Sequence, residues 1–181
     1  MVKPRIILGI DPGTQISGYG LIQCEGKRMR LVHYGLIRLS KGNTPHPERL
    51  KKIFERINGL IQEFKPGEMA LEAPFYGRNI QAMLKLGRAQ GVAMAAGLVN
   101  DLPIYEYAPR KVKMAVTGNG NASKEQVAGM LEKLLNFEHD DKLLDATDAL
   151  GVAVCHYFQG DLSSDKKSYK NWADYAKQKG L

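Results

Sequence analysis

Asp11 closes the apolar run Arg-Ile-Ile-Leu-Gly-Ile, and Glu72 closes Met-Ala-Leu. Asp145 and Asp148 both stand in Leu-Leu-Asp-Ala-Thr-Asp-Ala-Leu. Magnesium is a hard cation that takes carboxylate oxygens and keeps several waters for a phosphate substrate. Two such ions held about 3.5–4 Å apart clamp the attacking and leaving oxygens of a phosphoryl displacement. On a helix, like charges at i and i+3 share a face and repel unless a cation neutralises them. Leu144, Ala149, Leu150, Ala153, Val154 and Tyr157 are apolar, so the two aspartates occupy the remaining stripe. Taken singly, each acid has a plain reading as a turn aspartate, a strand-end glutamate or first-turn charge favoured by the helix dipole. Four together at such places point to metal-assisted chemistry on phosphate.

The elements that must position them can be read from periodicity. Residues 5–10 form a short continuous apolar run, the mark of a strand buried on both faces. The turn Asp11-Pro12-Gly13-Thr14 follows it. Residues 18–23 and 31–39 read as two more strands, which gives an antiparallel three-strand start. Leu50, Ile53, Phe54, Ile57, Leu60, Ile61 and Phe64 recur at helical spacing, predicting an amphipathic helix over 47–64 stopped by Pro66-Gly67. A short strand, 68–71, delivers Glu72, and Pro74 prevents its continuation. Residues 78–99 read as a long helix with Gly87, Gly91 and Ala95 along one stripe, 102–107 as a strand and 108–116 as a short helix. Ser123 and Gln126 have the spacing of a capping box opening another helix. The last helix is expected over 142–158, with Asp140 and Asp141 available to cap it. The order implies an α/β fold whose mixed five-stranded sheet is flanked by helices.

The chain has 181 residues, 44% of them hydrophobic and 25% charged, which suits one compact domain. The domain is expected over 1–160, with 161–181 a polar tail read as disordered or weakly helical. No apolar run approaches the roughly 20 residues needed to span a membrane, and no signal peptide is apparent. Cys24 and Cys155 form no CxxC pair, so a zinc site is excluded and a reducing cytoplasm is the natural setting. The net charge of +7 suits a polyanion partner, supplying phosphate affinity and association rate but not sequence choice. His33, His46, His139 and His156 show no metal-ligand spacing, and Gly118-x-Gly120 opens no βαβ unit, so neither carries a site.

Several segments, in order, resemble one family. Ile-Leu-Gly-Ile-Asp-Pro-Gly-Thr (7–14), Gly18-Tyr19-Gly20, Leu71-Glu72, Leu84-Lys85-Leu86-Gly87-Arg88-Ala89 and Asp145-Ala146-Thr147-Asp148-Ala149-Leu150 are similar to the RuvC family of crossover junction endodeoxyribonucleases. The likeness runs from about residue 5 to 158. It implies a ribonuclease H-like fold and a nuclease that resolves Holliday junctions by paired symmetric nicks in recombination and repair. It implies Asp11, Glu72, Asp145 and Asp148 as the catalytic metal ligands for two magnesium ions per subunit, with manganese as substitute. Metal-activated water would attack a backbone phosphate in line, leaving a 5′-phosphate and a 3′-hydroxyl, with positioning and charge stabilisation carrying the transfer.

The resemblance extends to the DNA side. Lys113 and Lys124 match lysines that bind DNA, and Phe75 matches an aromatic that stacks on bases at the branch point. Such stacking contributes roughly 1–3 kcal/mol per base. Tyr76 could share that work, and Arg78, Lys85, Arg88, Arg110 and Lys111 are further contacts by charge alone. Two matched nicks need two equivalent sites, so a homodimer with a two-fold axis is expected, its interface sought on the 78–99 helix. The implied partners are four-way junction DNA and the RuvA–RuvB branch-migration complex, with no membrane. Two rivals remain: a ribonuclease H-like enzyme that cuts RNA–DNA hybrids or trims ends, and a basic structural protein that binds branched DNA without cutting.

Overall fold

The structure is a computed structural model that describes residues 4–40, 43–74, 79–140 and 143–164, with the backbone alone for 161–164. Among the described residues five strands are present: β1 (Arg5–Asp11), β2 (Ile16–Glu25), β3 (Arg28–Arg38), β4 (Glu68–Glu72) and β5 (Ile104–Tyr107). Five helices accompany them: α1 (His46–Phe64), α2 (Ile80–Leu98), α3 (Pro109–Thr117), α4 (Lys124–Leu135) and α5 (Leu144–Ser164). The sheet order is β3-β2-β1-β4-β5. β1, β2 and β3 pair antiparallel, while β4 runs parallel to both β1 and β5. The mixed five-stranded sheet expected from the sequence is therefore present.

Alternation along the central strands divides the core into two layers, because successive side chains leave opposite faces. Leu8, Ile10, Leu21, Met69 and Leu71 pack with Ile53, Ile57, Leu60, Ala89, Ala93 and Ala96 of α1 and α2. Ile7 and Ile22 pack on the other face with Leu131 of α4 and Leu150, Ala153 and Val154 of α5. β1 is apolar from Ile6 to Ile10 because that stretch lies between both helical layers.

The helix signals act as their chemistry predicts. At α4, the Ser123 hydroxyl accepts from the Gln126 backbone N–H while the Gln126 side chain accepts from that of Ser123. The first orphan amides are thereby satisfied reciprocally. α1 ends where Lys65 turns left-handed (φ 48°), just before Pro66-Gly67. α5 begins at Leu144 and runs to Ser164, past the end expected from its apolar periodicity. Asp141, one of the two expected caps, lies outside the described residues.

How close α5 comes to the sheet depends on three glycines. A Cβ at Gly9 would lie 2.1 Å from the Ala149 carbonyl oxygen, and one at Gly20 would lie 2.6 Å from Leu150 Cδ2. One at Gly18 would lie 2.8 Å from the Asp145 carbonyl oxygen. Gly9 pairs with Gly20 across β1 and β2, so the missing side chains form a continuous trough under α5. Further along, α5 is pinned by His156. Its Nδ1 meets the Tyr107 hydroxyl at 2.7 Å and its Nε2 meets Glu68 Oε2 at 2.8 Å. Burial holds the imidazole below its usual pKa. The neutral ring therefore donates from Nε2 to the carboxylate and accepts the tyrosine hydroxyl at Nδ1.

Gly9→Ala is expected to destabilise the fold by about 3 kcal/mol, the upper end of ordinary overpacking, because the new methyl meets backbone that cannot rotate away. For a chain of this size that is a loss of roughly 6–12 °C in Tm. A melt indistinguishable from that of the unsubstituted protein would show that α5 can move off the sheet at little cost.

Candidate active site

Strand register brings the first two acids together. Ile10 pairs with Leu71 in the parallel β1–β4 ladder, so Asp11 and Glu72 are the next residues along the two strands. By alternation both lie on the face that carries Gly9 and Ala70, the side on which α5 packs. The trough then delivers the second pair. Asp11 pairs with Gly18, and Gly18 is in contact with the Asp145 backbone, so the first turn of α5 lies over the end of β1. The four acids named from the sequence, distributed along most of the chain, meet at one end of the sheet.

The turn after Asp11 is braced from within. Ser17, almost fully buried, uses one hydroxyl to accept from the Gly13 N–H at 3.0 Å and donate to the Gly13 carbonyl at 3.2 Å. Gly13 cannot carry a side chain, since its Cβ would lie 1.8 Å from the Ile16 carbonyl oxygen. Beside this turn lies a cleft of about 150 Å³ bordered by Asp11, Pro12, Glu72, Pro74, Leu86 and Gln90.

The electrostatics of the cleft are those of crowded acids. The Asp11 carboxyl is pushed up to about 7, first by burial and then by Asp148, with Lys124 opposing and Asp145 adding a smaller push. The Glu72 carboxyl is pushed up to about 8, again first by burial, then by Asp11 and Asp148 against Lys124 and Lys113. Both acids thus hold protons near neutral pH unless positive charge is brought in. Lys124 supplies part of it. Its Nζ lies 3.0 Å from Asp145 Oδ1 and 2.8 Å from Asp148 Oδ2, and these bonds raise the ammonium pKa against the opposing effect of burial. A lysine expected to face DNA therefore bridges the two helix aspartates. Lys113 is half-buried and donates to the Ala122 carbonyl at 2.7 Å, close enough to Glu72 to lower its pKa.

The donor set fits a hard divalent cation. It consists of carboxylate oxygens, two of them buried beyond what one ammonium neutralises. Among the described residues, no three His, Cys, Asp or Glu side chains already close around one point. Magnesium does not need such a cage, because it keeps several waters and uses substrate phosphate oxygens as ligands.

Phe75 and Arg78 lie outside the described residues. Lys85, Arg88, Arg110 and Lys111 are exposed; Lys111 Nζ stands 5.3 Å from the Tyr107 ring centroid. Sequence reasoning missed Gln90, a buried polar residue among alanines that borders the cleft and donates to Glu106. The one available signal was an amide on the small-residue buried face of α2. It also missed Ser17 and the trough glycines as positioning residues.

Comparison with known proteins agrees with this geometry. The family model described as "Crossover junction endodeoxyribonuclease RuvC" matches residues 7–156. A relative of that name from Cytophaga hutchinsonii is 61% identical over 96% of this chain and 86% of its own length. One from Porphyromonas gingivalis is 57% identical over 96% of this chain and 94% of its own. The structure of Thermus thermophilus RuvC in complex with Holliday junction substrate superposes with a TM-score of 0.81 at 30% identity, covering 88% of this chain and 97% of that one. The yeast mitochondrial Holliday junction resolvase shares the fold at 14% identity, with a TM-score of 0.67. Motifs, topology and the matched span of 7–156 agree, and the chain belongs to the RuvC family of crossover junction endodeoxyribonucleases.

Proposed function

We propose that this protein resolves four-way DNA junctions in recombination and repair, and that Asp11, Glu72, Asp145 and Asp148 are its catalytic metal ligands. The observation that carries the reading is the convergence of these acids at one sheet end, with the pKa values of Asp11 and Glu72 raised by burial and mutual repulsion. Magnesium, two ions per subunit with manganese as substitute, would supply Lewis-acid activation of water and neutralise charge developing on the phosphate. The chain's own residues do the rest. Burial of Asp11 and Glu72 keeps bulk water from screening them, Ser17 and Gly13 hold the turn that aims Asp11, and the glycine trough sets the height of Asp145 and Asp148. Lys113 and Lys124 draw the phosphate backbone toward the acids, and Phe75 and Arg78 contact the junction strands. Cleavage leaves a 5′-phosphate and a 3′-hydroxyl.

The nuclease unit in this reading is 1–160, with 161–181 a polar extension. Among the described residues no helix is long and apolar enough to cross a membrane. The two free, buried cysteines suit a reducing cytoplasm, where the RuvA–RuvB complex would hand over its junctions. A homodimer follows from the face that α2 leaves open. Ile80, Leu84 and Leu98 are 73%, 52% and 61% exposed, and a Cβ added at Gly87 or Gly91 between them would meet nothing within 4 Å outside the helix. Alternating three- and four-residue spacing makes this an apolar seam, which buries itself against a second copy. Leu84→Glu is expected to shift the protein from dimer to monomer by sedimentation and to uncouple the paired nicks. A dimer that persists unchanged would place the interface elsewhere.

The function is tested with a synthetic four-way junction in magnesium, beside linear duplex and RNA–DNA hybrid. Paired symmetric nicks in the junction alone are expected. Cutting of the hybrid alone, or junction binding with no cut, would overturn the reading.

A further inference from the structure

On the other side of the Asp11–Thr14 turn from the acidic cleft lies a second cavity, of about 380 Å³, with the opposite chemistry. Thr14, His46, Arg49, Asn79 and Lys85 border it, and no acidic residue does among those described. The two cavities share one turn and one helix. Asp11 and Pro12 border the first and Thr14 the second, while α2 gives Leu86 and Gln90 to one and Lys85 to the other.

Arg49 is held in place here, and neither it nor exposed Lys85 is neutralised by a described carboxylate. Arg49 donates from Nε to the Thr44 carbonyl at 2.9 Å and from Nη1 to the Thr14 carbonyl at 3.3 Å. Both partners are neutral, so the guanidinium is oriented against the turn with further donors to spare. Neither Arg49 nor Lys85 forms an ion pair with a described carboxylate. α1 starts here at His46 without a side-chain cap, and exposed Glu48 in its first turn offsets its positive end without bordering the cavity. His46 Nε2 is enclosed and has no hydrogen-bond partner among the described residues. Buried polar atoms are rarely left so, and an external partner is one explanation.

Building on the junction-nuclease reading, we propose that this basin is a subsite for a DNA backbone phosphate neighbouring the one that is cut, held by Arg49 and Lys85. A lining of donors without a carboxylate selects an anion. A planar guanidinium with free N–H groups suits phosphate oxygens. A strand that presents one phosphate to the acidic cleft continues over the shared turn into the basin. Because Arg49 is bonded to that turn, binding there sets the register of the strand over Asp11.

The test measures binding of a four-way junction by fluorescence anisotropy across a salt series, without divalent metal so that nothing is cut. Lys85→Gln, an exposed change, is read first, followed by the double change with Arg49→Gln. Binding is expected to weaken severalfold, with the slope of log affinity against log salt shallower by about one for each phosphate no longer neutralised. Junctions carrying a neutral methylphosphonate at each phosphate flanking the cut, in turn, then locate the subsite on the strand. One position should weaken binding of the unsubstituted protein and lose that effect in the protein carrying both Arg49→Gln and Lys85→Gln. The same methylphosphonate profile in both proteins, or an unchanged salt slope, would overturn the subsite while leaving the nuclease reading intact. Failure of the unsubstituted protein to bind the junction at all would instead remove the reading on which the subsite rests.

Discussion

Asp11→Asn is expected to lower junction cleavage by on the order of 10³-fold or more, the scale of losing a preorganised electrostatic group at a reacting centre. Junction affinity should stay within about twofold, because affinity comes mainly from cations on phosphates, which the change leaves alone. The reason lies in what Asp11 does in the fold. It ends a strand buried between two helical layers and faces Glu72 and the aspartates of α5. Asparagine keeps the shape and loses the negative charge that would hold a cation. The same substitution should stabilise the metal-free protein by about 1–2 kcal/mol, as relief of a strained functional site often does. That is a rise of roughly 2–8 °C in Tm. Loss of junction binding together with cleavage, or a fall in metal-free Tm, would assign Asp11 a structural role.

The second large effect concerns pH and metal together. Asp11 and Glu72 have folded pKa values of about 7 and about 8, above the ordinary 3.8 and 4.5. The native state therefore binds more protons than the unfolded chain between roughly pH 4 and pH 8, and stability falls as pH rises through that window. His156, held below its usual 6.5, acts in the opposite sense and only below that value. The interval from pH 6.5 to 8 thus reports mainly on the two carboxyls. It lies below the range where the buried thiols of Cys24 and Cys155, pushed up to about 11 from 9.0, begin to contribute. The metal-free protein should lose Tm across it, and an Asp11→Asn, Glu72→Gln protein should lose much less. Magnesium should reverse the loss, since a cation displaces the protons and binds more tightly as they leave. At a concentration of about 100 times its Kd it contributes about 2.7 kcal/mol, or roughly 5–10 °C. That gain should be larger at pH 8 than at pH 6.5. A magnesium response that is absent, or independent of pH, would mean that these carboxyls are not its ligands.

The acids were legible in the sequence because each ends or opens a recognisable element. Asp11 and Glu72 follow short apolar runs, and Asp145 and Asp148 interrupt an apolar helix at i and i+3. Helix starts were equally legible where a local hydrogen bond sets them, as at Ser123 and Gln126. The partner of Lys124 was not. Its charge was plain, but that it bridges Asp145 and Asp148 depends on α4 and α5 packing side by side. The open seam of α2 shows the same limit, since the small-residue stripe could have faced its own sheet, and only packing turned Ala89, Ala93 and Ala96 inward instead.

By itself, the order of residues determined the elements, their apolar faces, the family likeness and the candidate acids, because periodicity and turn chemistry are local properties. The tertiary structure decided how those acids meet. The parallel register of β1 and β4 sets Asp11 beside Glu72, and a trough made by Gly9, Gly18 and Gly20 lets α5 come close enough to add its aspartates. A glycine shows no sign of what presses against it until the fold is assembled. Close approach is a relation between distant segments, and so is the repulsion that raises two buried carboxyls toward neutrality.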